Sequence, residues 1–416
     1  MSFKLLHASD LHLGQRFHEQ DRSEDEAFAL RAVVNYCRDR EVDVVVLAGD
    51  IFDTANPGAG EVARYNRFLA ELVLEAKVAT VVVIAGNHDS AVRIEGPKEL
   101  YQLCKIHVIG SLRCDENPKK CLIPLLDRRG NCVAQCMAIP YLRDADVRMP
   151  ASGEEVAASA RAHVIAVDQR LRQIRALVSK ELPLVTVGHA FCAGSIADGG
   201  ERPVQVGNLG LIPAHTFGED SSYLAMGHLH QAQILAGRAH WRYAGSLLPT
   251  GFDGTESQRK VLIATISGLE AAQVEECPVP TLRRYHKISG SLETAREQVL
   301  QLPIPAQNEA QPWLCISIID TQSECSLSSG LEPLVSGKGW HLTKLLLTRK
   351  RPEQEDSPKD PQVSDFDNPL LNPDEVFLRL LKKNSVPEAS QANLLHSFRR
   401  LRENCEAILH GQPSSK

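Results

Sequence analysis

Short runs of apolar residues recur along the first half of the chain, and each of the best defined ends in a polar or charged residue. Residues 4–9, 42–49 and 78–86 are strand-length runs that stop at Asp10, Asp50 and Asn87. Helical periodicity separates them. Over residues 24–40, Ala27, Leu30, Val34 and Cys37 share a face, and residues 60–77 repeat the pattern. Apolar strands alternating with helices predict a mostly parallel α/β sheet buried on both faces. Residues 121–126 and 132–139, joined by Asp-Arg-Arg-Gly-Asn, read as a hairpin. A long helix over 154–180 follows, then strands at 184–188 and 223–227 that run out into His189 and into His228 and His230. Strands at 232–235, 240–244 and 261–266 close a first domain, residues 1–275.

The pattern then restarts on a smaller scale. Strands at 285–289, 313–319 and 341–348 and a helix at 292–302 predict a compact α+β domain over 280–350. Residues 327–335 read as helical at best, because Gly330 and Pro333 interrupt them. Residues 351–370 are rich in Pro, Asp, Glu, Lys and Ser and predict a flexible linker. Two amphipathic helices are expected over 371–411. The first has Asn372 as N-cap, Pro373, Asp374 and Glu375 in its first turn, and Val376, Phe377, Leu380 and Leu381 as its stripe. The second carries Leu394, Phe398, Leu401, Cys405 and Ile408 and ends at Gly411. Helices on a tether have no core of their own, so docking on a partner protein is favoured over packing on the body.

Charge changes this picture little. The 416 residues hold 46 Lys+Arg against 52 Asp+Glu, a net charge of −6, which argues against coating nucleic acid or anionic lipid by bulk charge. A local basic groove remains compatible with it. No apolar run approaches the roughly 20 residues needed to span a bilayer, so no membrane segment is expected. The absence of a secretory signal pattern and of any Cys-x-x-Cys pair among 11 cysteines suggests a reduced, cytoplasmic chain. Cys114, Cys121, Cys132 and Cys136 cluster without zinc-site spacing.

The strand ends carry the chemistry. Asp10-Leu-His12, Gly49-Asp50-Ile-Phe-Asp53, Gly86-Asn87-His88-Asp89, Gly188-His189 and Gly227-His228-Leu-His230 all lie where a predicted strand enters a loop. The carboxyl ends of parallel strands converge on one edge, so these segments are expected to meet. Hydrolysis of a phosphate ester needs charge neutralisation and a nucleophile at neutral pH. Two divalent ions about 3.5–4 Å apart supply both. Asp10, His12, Asp50, Asn87, His189, His228 and His230 match the donor count, and mixed imidazole, carboxylate and amide ligands suit Mn²⁺, Fe²⁺ or Zn²⁺ better than Ca²⁺. Glycines before Asp50, Asn87, His189 and His228 are expected to let the backbone turn sharply. His7, His107, His163 and His286 are read as structural.

These motifs, in this order, resemble those of the calcineurin-like metallophosphoesterases. The fuller strings at 8–15, 48–54, 85–90, 226–233 and 243–246 resemble the nuclease subunits of double-strand-break repair complexes within that superfamily. The resemblance implies a β-sandwich flanked by helices, a small α+β capping domain and C-terminal helices that bind an ATPase. It implies two divalent metals, Mn²⁺ foremost: Asp10, His12 and His230 holding one, Asn87, His189 and His228 the other, and Asp50 bridging. It implies His88 as general acid, with Asp53 hydrogen-bonding His88 and keeping it protonated. It further implies 3′→5′ exonuclease action on duplex DNA and endonuclease action on single strands and hairpins, serving DNA recombination, repair and replication. The partner would be a coiled-coil ATPase in a heterotetramer built on a homodimer. This chain carries no Walker-type loop, so ATP dependence would come from that partner. Tyr65, Phe68, Leu69 and Leu72 share a helical face, as the seam of the homodimer or as core against their own sheet. Arg16 and Arg93 are candidates for DNA contact. A small-molecule phosphodiesterase or phosphomonoesterase shares the metal chemistry, but would not require the extra domain and helices. A scaffold that has lost its metals is disfavoured by seven ligand-competent positions.

Overall fold

Val, Ile and Leu runs become strands here because sheet or helix covers both of their faces. The computed structural model describes residues 2–113, 115–147, 156–192, 195, 212–252, 255, 257–319 and 324–348, and positions 377, 381, 391, 393–395, 397 and 398. The first half comprises β1 (Ser2–Ala8), α1 (Ser23–Asp39), β2 (Val44–Ala48), α2 (Ala59–Leu74), β3 (Thr80–Ile84), α3 (Ala91–Glu95), α4 (Lys98–Leu103) and β4 (Ile106–Ile109). Next come β5 (Leu122–Leu126), β6 (Cys132–Ile139), α5 (Asp144–Val147), α6 (Val156–Arg175), β7 (Leu184–His189) and β8 (Tyr223–Gly227). β9 (Gln233–Leu235), β10 (Arg238–Tyr243), β11 (Lys260–Ser267) and β12 (Gln273–Pro278) complete the body.

The strands form two six-stranded sheets, ordered β12-β11-β1-β2-β3-β4 and β5-β6-β7-β8-β10-β9. One mostly parallel sheet is therefore replaced by a sandwich of two mixed sheets, each with a parallel centre. Alternation along the strands builds it. Leu5, Val44, Val46, Val82 and Ile84 join one core with Ile123, Cys136, Val185 and Val187 of the second sheet, to which α6 adds Val167, Leu171 and Ile174. Their neighbours Leu6, Val45, Leu47, Val81 and Val83 pack instead with Leu30, Val33, Val34 and Cys37 of α1 and with α2. Ala27 is exposed and Ala29 takes its expected place. β12 extends the body past residue 275, and only Cys277 of it is buried, so its pattern reads as loop.

Tyr65, Phe68, Leu69 and Leu72 are each at most 2% exposed and pack into this second core. As a dimer seam those four are ruled out. The reason is that helical periodicity marks a face without saying which surface covers it. The exposed apolar residues of this region are others: Val62 and Leu74 on α2, Val92 on α3, and Leu100 and Leu103 on α4.

Beyond the body, β13 (Tyr285–Gly290), α7 (Leu292–Gln301), β14 (Trp313–Ile319), α8 (Glu324–Gly337) and β15 (His341–Thr348) make a parallel three-stranded sheet with two helices. Helix α8 runs through Gly330 and Pro333, because fully buried Leu331 and Val335 anchor it in the small core with Ile288, Val299 and Ile316. Phe17 and Phe252 of the body pack with Trp313, Cys315 and Tyr285. Beside them Arg283 Nε donates to buried Asp25, at 2.8 and 3.0 Å from its two oxygens.

The C-terminal segment forms a separate unit with residues 155–157. Its described positions are helical, and Phe377 stacks on Phe398 with centroids 4.3 Å apart. The linker at 351–370, Asn372, most of both helical stripes, Cys114 and the expected first residues of the long helix lie outside the described residues. Among the described residues no helix is long and apolar enough to cross a membrane.

His7 gives the body an acid-sensitive point. It is fully buried, with Nδ1 3.0 Å from the Tyr223 hydroxyl, and burial drives its pKa from 6.5 down to about 3. The unfolded chain takes up this proton first, so the contribution to stability is complete above pH 6.5 and is lost as pH falls toward 3. Its limit is on the order of 4 kcal/mol. Urea melts between pH 4 and 7 are expected to show a shallower pH dependence in His7→Gln than in the wild type.

Candidate metal centre

Five strand ends from both sheets meet at one edge. β1 leads to Asp10 and His12, β2 to Asp50 and β3 to Asn87 and His88. In the second sheet β7 ends at His189, and β8 is followed by His228 and His230. Asp10, His12, Asp50, His189, His228 and His230 are all buried. Four of them hold left-handed backbone: Asp10 (φ 51°), His12 (φ 43°), Asp50 (φ 48°) and His228 (φ 104°). Non-glycine residues adopt this region at a cost of about 1–3 kcal/mol each, and persist there when the surroundings over-determine them. Here Asp10 N donates to Gly49 O and His12 N to Asp50 O, both at 3.0 Å, and His228 N donates to both Asp10 carboxylate oxygens.

Of the expected glycine turns, only Gly49 has positive φ, 84°. Gly86 and Gly227 serve close approach: a Cβ at Gly86 would overlap Asp50, and one at Gly227 would overlap the Ala48 carbonyl oxygen.

The candidate donors fall into three groups. One ligand atom from each residue lies within 4.8 Å of the others in the groups Asp10, His12 and His230, then His12, Asp50 and His88, and then Asp50, His189 and His228. His12 Nε2 is 3.1 Å from His230 Nε2 and 3.7 Å from Asp50 Oδ2. His189 Nε2 is 3.4 Å from Asp50 Oδ2, and both His189 Nε2 and His228 Nδ1 lie 3.0 Å from Asn87 Oδ1. His189 Nδ1 lies 2.8 Å from the Ala48 carbonyl, which orients Nε2 toward the cluster.

The charge balance of the site favours cations. Burial pushes Asp10 up to about 7. Burial would also raise Asp50, but His189 and His12 outweigh it and hold Asp50 well below the usual range. Burial opposes protonation of His189, yet Asp50 lifts it to about 9. Burial, then the His189 charge, lowers His228 to about 3. Protons thus supply positive charge that these packed oxygens and nitrogens require. Divalent cations would displace those protons and neutralise the carboxylates more fully, so the donor set fits the metals.

His88 and Asp53 meet differently from expectation. His88 N donates to Asp50 Oδ1 at 2.9 Å, and His88 Nδ1 lies 2.7 Å from the main-chain carbonyl oxygen of Asp53. The Asp53 carboxylate lies 3.4 Å from His12 Nδ1. Two further positioning residues went unassigned in the sequence. Buried Asp89 accepts from Gly86 N (2.8 Å), Ile51 N (3.1 Å) and Phe52 N (3.0 Å), tying the Asp50 loop to the Asn87 loop. Its place in Gly-Asn-His-Asp was the available signal. Arg259 Nη1 donates to the His230 carbonyl at 2.7 Å, and a lone Arg before a strand carries no signal at all. Arg16 and Arg93 are exposed.

The fold is that of calcineurin-like metallophosphoesterases, and the calcineurin-like phosphoesterase family pattern matches residues 3–142. The chain is similar to the SbcD subunits of SbcCD nucleases. It is 28% identical over 400 residues to the SbcD of Escherichia coli (strain K12), covering 95% of this chain and 96% of that one. The SbcD of Rhodobacter capsulatus is 29% identical over 358 residues (83% and 87% of the two chains). That of Bacillus subtilis (strain 168) is 29% identical over 275 residues (66% and 68%).

Proposed function

We propose that this chain is the nuclease subunit of an SbcCD-type complex, hydrolysing DNA phosphodiesters at a two-metal centre. The observation that carries the reading is the meeting of two donor groups next to a common Asp50. In it Asp10, His12 and His230 would hold one divalent ion and Asn87, His189 and His228 the other, with Asp50 contributing to both; Mn²⁺ would be the preferred ion. When bound, the ions supply charge neutralisation and a nucleophile at neutral pH. The chain's residues do the rest. Asp89 and Ala48 O fix the ligands, burial excludes water, and His88, anchored by the Asp53 carbonyl, donates a proton to the departing sugar oxygen. The products would be those of a 3′→5′ exonuclease on duplex ends and an endonuclease on single strands and hairpins. The C-terminal helices would bind the coiled-coil ATPase that confers ATP dependence. The test is Mn²⁺-dependent cleavage of a hairpin oligonucleotide, with and without that ATPase and ATP, against p-nitrophenyl phosphate. Turnover of the small ester without DNA cleavage overturns the reading.

A homodimer belongs to the same proposal, with its seam moved to the exposed apolar residues Val92, Leu100 and Leu103. A Leu100→Glu/Leu103→Glu chain is expected to give a monomeric mass by light scattering with an unchanged melting curve. Phe68→Ala is expected to do the reverse, keeping the dimer and losing about 3–5 kcal/mol of stability.

A further inference from the structure

The second-metal half of the centre has aromatic walls that ligand binding alone does not require. Tyr141, two residues beyond β6, stands edge-on to His189 with centroids 6.2 Å apart, its backbone N–H donating to Ala85 O at 2.8 Å. Phe191, two residues beyond β7, leans on His228, also at 6.2 Å. His189 and His228 lie 5.3 Å apart between them, so four rings form a continuous arc. Both outer rings are only half-buried. Arg143 places its guanidinium 5.9 Å from the Tyr141 ring centroid and donates to the Asp89 carbonyl at 3.1 Å. Among the described residues no carboxylate pairs with the Arg143 side chain; it is its backbone N–H that meets Asp146.

We infer that Tyr141 and Phe191, with Arg143 beside them, form the nucleoside subsite on the His189–His228 side of the centre. The inference rests on the nuclease reading and deepens it. A phosphodiester seated at His189 and His228 carries its flanking nucleoside past whichever wall stands next to those rings. A half-exposed aromatic face takes any base by stacking, which suits a sequence-tolerant nuclease. The guanidinium supplies a positive charge for the next phosphate of the strand. A small phosphate monoester would leave the whole wall unused.

The test compares an oligo-dT with an oligonucleotide of equal length built from abasic units, both in Mn²⁺. The wild type is expected to cut oligo-dT with a kcat/KM at least ~10-fold higher. Tyr141→Leu and Phe191→Leu should each shrink that ratio several-fold, and Tyr141→Phe should keep it. Arg143→Gln should weaken binding to oligo-dT and flatten its salt dependence by close to one phosphate contact. Metal content of each variant, read by mass spectrometry, separates a lost subsite from a damaged centre. Leucine variants that retain metal and the wild-type ratio overturn the inference, as does a wild type that cuts both oligonucleotides equally. Failure to cut either oligonucleotide while p-nitrophenyl phosphate is hydrolysed overturns the nuclease reading, and the subsite with it.

Discussion

Asp50→Ala is expected to lower hydrolysis by ~10³-fold or more, since in the proposed two-metal centre several kcal/mol of charge stabilisation at the reacting phosphate would depend on the ions it helps to hold. Asp50 Oδ2 lies within 3.7 Å of His12 Nε2 and 3.4 Å of His189 Nε2, so it faces both donor groups. Its Oδ1 also accepts from His88 N at 2.9 Å, so the proposed proton donor would shift with it. Both ions are therefore affected, and metal analysis of the variant should find well under two per chain. Added Mn²⁺ at about 100 times its dissociation constant should stabilise the wild type by ~2.7 kcal/mol per site, and Asp50→Ala should lose most of that shift. In the metal-free protein the variant has a second signature. Asp50 is the main cause lifting His189 to about 9 against burial, so without it His189 is expected to titrate lower by NMR. Full metal content with full activity in Asp50→Ala would remove the centre from the mechanism.

The meeting of the candidate ligands was legible because each follows an apolar run and strands of this kind end at a common edge. Asp10, Asp50 and Asn87 could be placed from Val- and Ala-rich runs alone, and the histidines from β7 and β8. What the runs could not say is how many sheets they build. Val44 and Val45 look alike in sequence, yet one faces the other sheet and the next faces α1 and α2. β12 was missed because an edge strand with only Cys277 buried has no apolar pattern to read. The seam residues on α2 failed for a related reason: a helical stripe covers its own sheet or a second copy with the same spacing. Asp89 and Arg259 act through backbone atoms of distant loops, at Ile51 and Phe52 and at His230, and such contacts leave no periodicity. The Asp53 carboxylate was aimed at His88 by reasoning from residue type. Its backbone carbonyl lies 2.7 Å from His88 Nδ1, a contact that Asp53→Asn preserves while altering the environment of His12.

A single methyl group is expected to do nearly as much damage as losing Asp50. In Gly227→Ala the new Cβ would lie 1.8 Å from the Ala48 carbonyl oxygen and 2.9 Å from His189 Nδ1. That carbonyl is the acceptor that orients His189, and Ala48 directly precedes Gly49 and Asp50. The clash is with backbone from the opposite sheet, so no rotamer change relieves it. Either the β8 end or the β2 end must move, and each carries a ligand. Overpacking of this kind costs about 3 kcal/mol or more, and the movement spreads His228, His189 and Asp50 apart. The variant is expected to melt well below the wild type, to gain little stability from Mn²⁺ and to hydrolyse DNA at least ~10²-fold more slowly. Gly60→Ala is the matched control: its Cβ would meet nothing within 4 Å, and it lies in helix α2, where alanine favours the helix by about 0.5 kcal/mol. If Gly227→Ala melts and binds Mn²⁺ as Gly60→Ala does, the two sheets do not approach at Ala48 as closely as the structure has them, and the position of Asp50 against His189 is wrong with it.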